Sequence, residues 1–242
     1  MTPLVLVHGF MGGKDQWQAQ APLGDTRQLI ALDLPGFGQN AALPPIDSIT
    51  GFARWMLDQL TALNVQRFDL LGHSMGGMIV QEMIRLAPDR IGKLVLYGTG
   101  AVGVLPGRFE PIETSMERAK AEGAEATARR IAATWFRERE AAAPYPACAD
   151  IAALSGLPAI LAGLNAMKDW SGTDALPNIA SETLVLWGDG DRTYPWSQTQ
   201  LLWETIRDSQ LGVVPHCAHA VHMERPALFN ALVNDFLDNV RA

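Results

Sequence analysis

Six short apolar runs punctuate the chain: Leu4–Val7, Gln28–Leu32, Phe68–Leu71, Leu94–Tyr97, Thr183–Trp187 and Leu211–Val214. None shows the strict alternation of apolar and polar positions that marks a strand with one wet face, so each is expected to be buried on both faces. Between them lie stretches with helical spacing. Phe52, Trp55, Met56, Leu60 and Leu63 recur along Ser48–Leu63, and Met78, Ile79, Val80, Met83 and Ile84 begin another stripe after the third run. Strands alternating with helices predict an α/β fold, a mostly parallel twisted sheet with helices on both faces. In such sheets functional groups gather beyond the carboxyl ends of the strands, which confines candidate chemistry to six places.

The strand rhythm stops between Leu105 and Ala180. Glu113–Glu122 and Glu125–Glu140 read as helices, Pro144-Tyr145-Pro146 breaks the chain, and further short helices run to Trp170. A long helical insertion between two strands of one sheet can fold over the strand ends as a cap. The expected organisation is a core of residues 1–104 and 181–242 with a cap of residues 105–180. Trp135, Phe136, Leu161, Met167 and Trp170 are the large apolar residues of that insertion. Each alone reads as packing; as a group, some are expected to line a site.

The third strand end carries the sharpest signal. Gly72-His73-Ser74-Met75-Gly76 joins a strand to a helix with no loop between them. So tight a turn forces its middle residue into a strained backbone conformation, and a Cβ on a flanking residue would crowd it. It lifts the Ser74 hydroxyl above the sheet at a helix N-terminus, where free N–H groups and the dipole favour developing negative charge. Ser74 is thus a candidate nucleophile. The plainer reading makes it only an N-cap.

The first strand ends in His8-Gly9-Phe10-Met11-Gly12-Gly13, where the N–H of Phe10 could face the same point as that of Met75 and complete an oxyanion hole. His8 itself reads as bonded to neighbouring backbone, and no phosphate-loop pattern is present. Asp33, at the second strand end, reads as a carboxylate capping the Gly-rich turn that follows. The fourth end, Gly98-Thr99-Gly100-Ala101, has no acid. The fifth, Gly188-Asp189-Gly190-Asp191-Arg192-Thr193-Tyr194-Pro195, has two. The sixth is followed by His216, His219 and His222, then by Pro226 opening the terminal helix. Three close histidines suggest a metal, but no spaced Cys or acidic partners complete a ligand set, so none is assigned.

Composition narrows the classes. A chain of 242 residues that is 48% hydrophobic can bury a full core and is not a disordered segment. A net charge of −7 without a basic stripe argues against nucleic acid as a partner. Cys148 and Cys217 are too few for a disulfide framework and read as free thiols in a reducing compartment. The apolar run Leu4–Val7 is far too short for a signal peptide or a membrane span. A soluble cytoplasmic protein with no membrane partner is expected.

A serine near 74, an acid near 190 and a histidine near 219, in that order, resemble the α/β-hydrolase family over essentially the whole chain. His8-Gly9 resembles its oxyanion loop and Gly72–Gly76 its nucleophile elbow. Its acid motif, Gly-x-x-Asp-x-x-x-Pro, is met by Gly188, Asp191 and Pro195, which selects Asp191 over Asp189; its His loop selects His219 through Glu224 and Pro226. The resemblance implies a Ser74–His219–Asp191 triad, an oxyanion hole at Phe10 and Met75, and hydrolysis through an acyl-enzyme with no cofactor or metal. Met11, His73, Trp135, Phe136, Met167, Trp170, Tyr194 and Val221 are the candidate substrate contacts.

The sequence also departs from the family. It starts at the family's third strand, which is expected to leave Leu4–Val7 with one neighbour fewer. Ala218 replaces the common Gly before the catalytic His, and Ala220 stands where Trp is often found. The chain looks most like carboxylesterases, 3-oxoadipate enol-lactonases and the pimeloyl-carrier methyl esterase. Arg118–Gly123 followed by Trp135-Phe136 resembles the lactonase cap, with Thr134 where those lactonases carry Arg. Small to medium neutral esters or lactones are the expected substrates. Enol-lactone or carbon–carbon bond hydrolysis, or ligand binding without catalysis, are the alternatives. An anionic substrate would need a cation, for which Arg108 and Arg130 are the candidates.

Overall fold

The computed structural model describes residues 1–106 and 110–239. All six expected strands form: β1 (Leu4–Val7), β2 (Leu29–Ala31), β3 (Phe68–His73), β4 (Ile91–Tyr97), β5 (Thr183–Gly188) and β6 (Gln210–Val214). They make one parallel sheet in the order β2-β1-β3-β4-β5-β6. Successive residues of a strand point to opposite faces, and here both faces are buried. Val5, Val7, Leu70, Leu94 and Leu96 enter one apolar cluster, while Leu4, Leu6, Leu71, Val95 and Tyr97 enter the other. That division is the physical reason for the missing polar alternation.

The first face is covered by α1 (Ile49–Ala62), α2 (Met75–Leu86) and α7 (Trp196–Thr205). Ser48 caps α1 by accepting the Gly51 N–H at 3.2 Å, and α1 buries Phe52, Met56 and Leu60 while Leu63, just past its end, is exposed. The second face is covered by α9 (Pro226–Asp238), through Phe229, Val233 and Phe236, and by a run of 3₁₀ turns at Lys14–Asp25, through Trp17 and Leu23. Those turns have no amphipathic period and contain Pro22, so nothing in the sequence pattern announces them.

The expectation that β1 lacks a neighbour is overturned: β1 pairs with both β2 and β3. The edge on that side is the three-residue β2, because the chain crosses from β2 past β1 before laying down β3. Between β4 and β5 come α3 (Ile112–Glu122), α4 (Ala124–Thr134), α5 (Tyr145–Ala153) and α6 (Leu157–Lys168). Helix α4 stops well before Glu140, because the chain turns at Trp135 to hand its carbonyl to the Ala220 N–H at 2.9 Å. The two stems of the insertion are pinned together where Gly103 N–H donates to Trp170 O (3.0 Å) and Gly172 N–H to Ala101 O (2.8 Å). Leu105, Trp135, Phe136 and Leu164 join the cluster of the first sheet face, so insertion and sheet share one apolar core. No single helix among the described residues is long and apolar enough to cross a membrane.

Candidate active site

Ser74 stands between β3 and α2 with φ 57° and ψ −123°, a left-handed conformation that costs a residue with a Cβ about 1–3 kcal/mol. Its side chain makes no capping bond to α2, which removes the N-cap reading. The turn is held instead through the main chain: Ser74 N–H donates to Tyr97 O at 3.0 Å, and the Thr99 hydroxyl donates to Ser74 O at 2.8 Å. The elbow is pressed against the end of β1. A Cβ on Gly76 would meet the carbonyl oxygens of Val7 and His8, and one on Gly9 would stand 2.9 Å from the Cβ of Ser74 and 3.4 Å from its Oγ. This contact brings the segment carrying Phe10 to the segment carrying Met75. As the first residue of α2, Met75 has an N–H with no intrahelical acceptor.

The acid and the histidine meet across the ends of β5 and β6. Nδ1–H of His219 donates to Oδ2 of Asp191 at 2.9 Å, with both side chains almost fully buried. Asp191 Oδ1 accepts the N–H groups of Thr193 (2.7 Å) and Tyr194 (3.1 Å), so three donors fix this carboxylate. With Nδ1 carrying the proton, Nε2 is left with a free lone pair. Asp189, two residues earlier, is exposed.

The remaining histidines part company. His216 is exposed at φ 58°, with Nδ1 2.8 Å from Arg137 Nη1. His222 is buried with Nδ1 3.2 Å from the Tyr97 hydroxyl, and burial, then the nearby His219, push it down to about 3. His8 sits between backbone groups, its Nδ1 donating to Gly9 O at 2.8 Å and its Nε2 accepting Leu34 N–H at 2.9 Å. Asp33 accepts the Lys14 N–H at 2.7 Å and so caps the 3₁₀ turns rather than its own turn.

The candidate substrate contacts fall into two groups. Trp135 and Tyr194 lie against His219, with ring centroids 6.4 and 5.6 Å away, and His73 packs between it and Tyr97. Phe136 is instead fully buried against Tyr145, Val221 lies in the core of the second sheet face, and Trp170 donates its indole N–H to Glu82 at 3.2 Å. Met11, at φ 53°, and Met167 belong to the first-face core. The Phe10 ring is wedged between Phe37 and Gly163 of α6, where a Cβ would come within 2.7 Å of it. Ser74 is 8% and His219 1% exposed, and Trp135 of the insertion lies against His219. Arg130 is held by Glu122 at 2.9 Å, and Arg108 lies outside the described residues.

Two further residues bear on the site: Glu224, named from the sequence only as a marker of the His loop, and Tyr97, not singled out there. Glu224 accepts Ala218 N–H (2.6 Å) with one oxygen and Arg137 N–H (2.8 Å) with the other, joining the His loop to the insertion. Tyr97, the last residue of β4, donates its hydroxyl to His219 O at 2.7 Å. A polar tip closing an apolar strand was the available signal for Tyr97.

Known proteins agree with this architecture. A family model described as alpha/beta hydrolase fold matches residues 2–226. The biotin biosynthesis bifunctional protein BioHC of Teredinibacter turnerae is 27% identical over 256 residues, which is 97% of this chain but 44% of that protein, so the chain spans less than half of it. The 2-hydroxy-6-oxo-6-phenylhexa-2,4-dienoate hydrolase of Burkholderia cepacia is 29% identical over 222 residues, covering 88% of this chain and 77% of that one. The structure of a thermophilic esterase from Thermogutta terrifontis, with malate bound, superposes with a TM-score of 0.89 at 27% identity, covering 98% and 90% of the two chains. With the match running from the start of the sheet to the first residue of its last helix, the chain belongs to the α/β-hydrolase family.

Proposed function

We propose that this protein is a serine hydrolase cleaving a small to medium neutral carboxylic ester or lactone, and that residues 105–180 act as its cap. The observation that carries the reading is Ser74, held at a positive φ with its hydroxyl free of any capping bond. In this reading His219 Nε2 takes the Ser74 proton as Oγ attacks the carbonyl carbon. Asp191 holds the ring in the required tautomer, and the N–H groups of Phe10 and Met75 bind the oxyanion. The alkoxide leaves with the proton from His219, giving an acyl-Ser74 ester. Water then attacks that ester, giving its proton to His219, and the acid is released as Ser74 recovers its own. A cytoplasmic location belongs to the same reading.

Replacing Ser74 with Ala is expected to lower turnover of an activated short-chain ester by ~10⁴–10⁶-fold with the thermal midpoint retained. A serine-directed fluorophosphonate should add one adduct to the wild-type mass and none to the variant. Wild-type turnover in the variant, or labelling elsewhere, would remove Ser74 from the mechanism. Ligand binding without any turnover by the wild type would favour a receptor.

Neutrality of the substrate is argued from charge. Arg118, Arg129, Arg130 and Lys168 of the insertion are each paired with a carboxylate, while aromatic rings surround His219. A substrate carboxylate buried there without a partner would be costly. Under one set of conditions, kcat/KM is expected to rank p-nitrophenyl butyrate above both p-nitrophenyl palmitate and a carboxylate-bearing lactone. A preference for the anionic lactone would overturn the neutral assignment. It would also favour the enol-lactonase reading that Arg118–Gly123 and Trp135-Phe136 suggest.

A further inference from the structure

We propose that Tyr97 and His73 are positioning residues that hold the main-chain carbonyl of His219 from below and so set where its imidazole stands. This rests on the serine-hydrolase reading of the site. His219 lies in an irregular segment between β6 and α8 (Val221–Glu224), and a base carried on a loop needs outside anchors to hold its place. Its carbonyl oxygen receives two donors, the Tyr97 hydroxyl at 2.7 Å and His73 Nε2 at 3.1 Å. Both come from strand ends, Tyr97 from β4 and His73 from β3, directly before Ser74. Nucleophile and base are thereby tied to the same two rigid strands.

The proton positions follow from the partners. A carbonyl only accepts, so His73 carries its proton on Nε2, and the single hydroxyl hydrogen of Tyr97 points at His219. The Tyr97 oxygen must then accept from its other neighbours, the His222 N–H at 3.3 Å and His222 Nδ1 at 3.2 Å. His222 is therefore the Nδ1–H tautomer, and its buried Nε2 has no hydrogen-bond partner among the described residues. The His73 ring stacks on Tyr97 (4.5 Å, 22°) and tilts against His219 (4.5 Å, 38°). Burial holds His73 well below the ordinary histidine range and pushes His222 down to about 3, which favours this one proton arrangement.

The test removes the donors and keeps the rings. In Tyr97→Phe, kcat for an activated ester is expected to fall about ten- to hundredfold, as for an ångström-scale misplacement, with KM within about twofold. The downfield proton resonance of the His219 Nδ1–H···Asp191 bond should broaden or disappear. His73→Phe should behave likewise, whereas His73→Gln, which returns an N–H near the same place, should recover most of kcat. Wild-type kcat and an unchanged resonance in Tyr97→Phe would overturn the proposal. So would equal losses in His73→Phe and His73→Gln, which would make the contact mere packing; that pair also decides the matter should Tyr97→Phe fail to fold. The resonance reports the clamp whether or not Ser74 is the nucleophile, so its loss in Tyr97→Phe beside a fully active Ser74→Ala would retire Ser74 as the nucleophile and leave the clamp standing.

Discussion

Two carboxylates stand two residues apart at the end of β5, and only their surroundings differ. Asp191 accepts from Thr193 N–H, Tyr194 N–H and His219 Nδ1–H, whereas Asp189 points to solvent. In Asp191→Asn the amide either faces the Nδ1–H donor with its own N–H₂ or turns the imidazole to the wrong tautomer. A loss on the order of 10³–10⁴ in kcat is expected, as for removal of a triad acid. Asp189→Asn should stay within about threefold, since it gives up no bond. Parallel steady-state assays decide this, and an inactive Asp189→Asn beside an active Asp191→Asn would move the acid to the earlier position. Resemblance to the family's acid motif selects Asp191, and the three donors on its carboxylate set it apart from Asp189.

At the scale of elements, the insertion and the His loop are fastened to each other. Trp135 O accepts Ala220 N–H, and Glu224 bridges Arg137 N–H to Ala218 N–H. This explains why α4 ends at Thr134 although helical spacing continues beyond it: the Trp135 carbonyl and the Arg137 N–H find partners in another element. Glu224→Gln turns one acceptor into a donor facing an N–H, at a cost of about 1–3 kcal/mol. Amide hydrogen exchange at Ala218, Ala220 and Arg137 should quicken in that variant while α1 and α9 keep their protection. Unaltered exchange at those three amides would show that the bridge is dispensable.

The whole molecule carries buried imidazoles that must stay neutral. Burial lowers His8 and His73 below the ordinary histidine range, and His222 is pushed down to about 3. For a histidine lowered in the folded state, the unfolded chain takes up the proton first as pH falls. The stabilisation is therefore complete above ~6.5 and is lost at about 1.4 kcal/mol per pH unit toward the folded value. The thermal midpoint should fall by several degrees between pH 7 and pH 5, and His222→Gln should show a shallower decline. Equal slopes for the two proteins would mean that other groups govern acid sensitivity.

The sequence by itself determined the strands and the tight turn at Gly72–Gly76, because these are local, whereas the three candidate catalytic groups were picked out by resemblance to a family. A short apolar run without alternation fits a strand buried on both faces, and Gly72–Gly76 leaves no room for a loop between strand and helix. What lay far apart along the chain was decided by the tertiary structure. The pattern of β1 could not tell which strand would flank it, since both its faces and both its edges are satisfied by segments distant in sequence. His73 is a candidate substrate contact by sequence, yet its ring packs against Tyr97 and His219. Trp135 and Phe136 are adjacent and equally apolar, but only the fold turns one toward His219 and the other into the packing around Tyr145. Composition and periodicity report how much surface a residue must bury; the direction in which it is buried depends on partners that only the folded chain brings near.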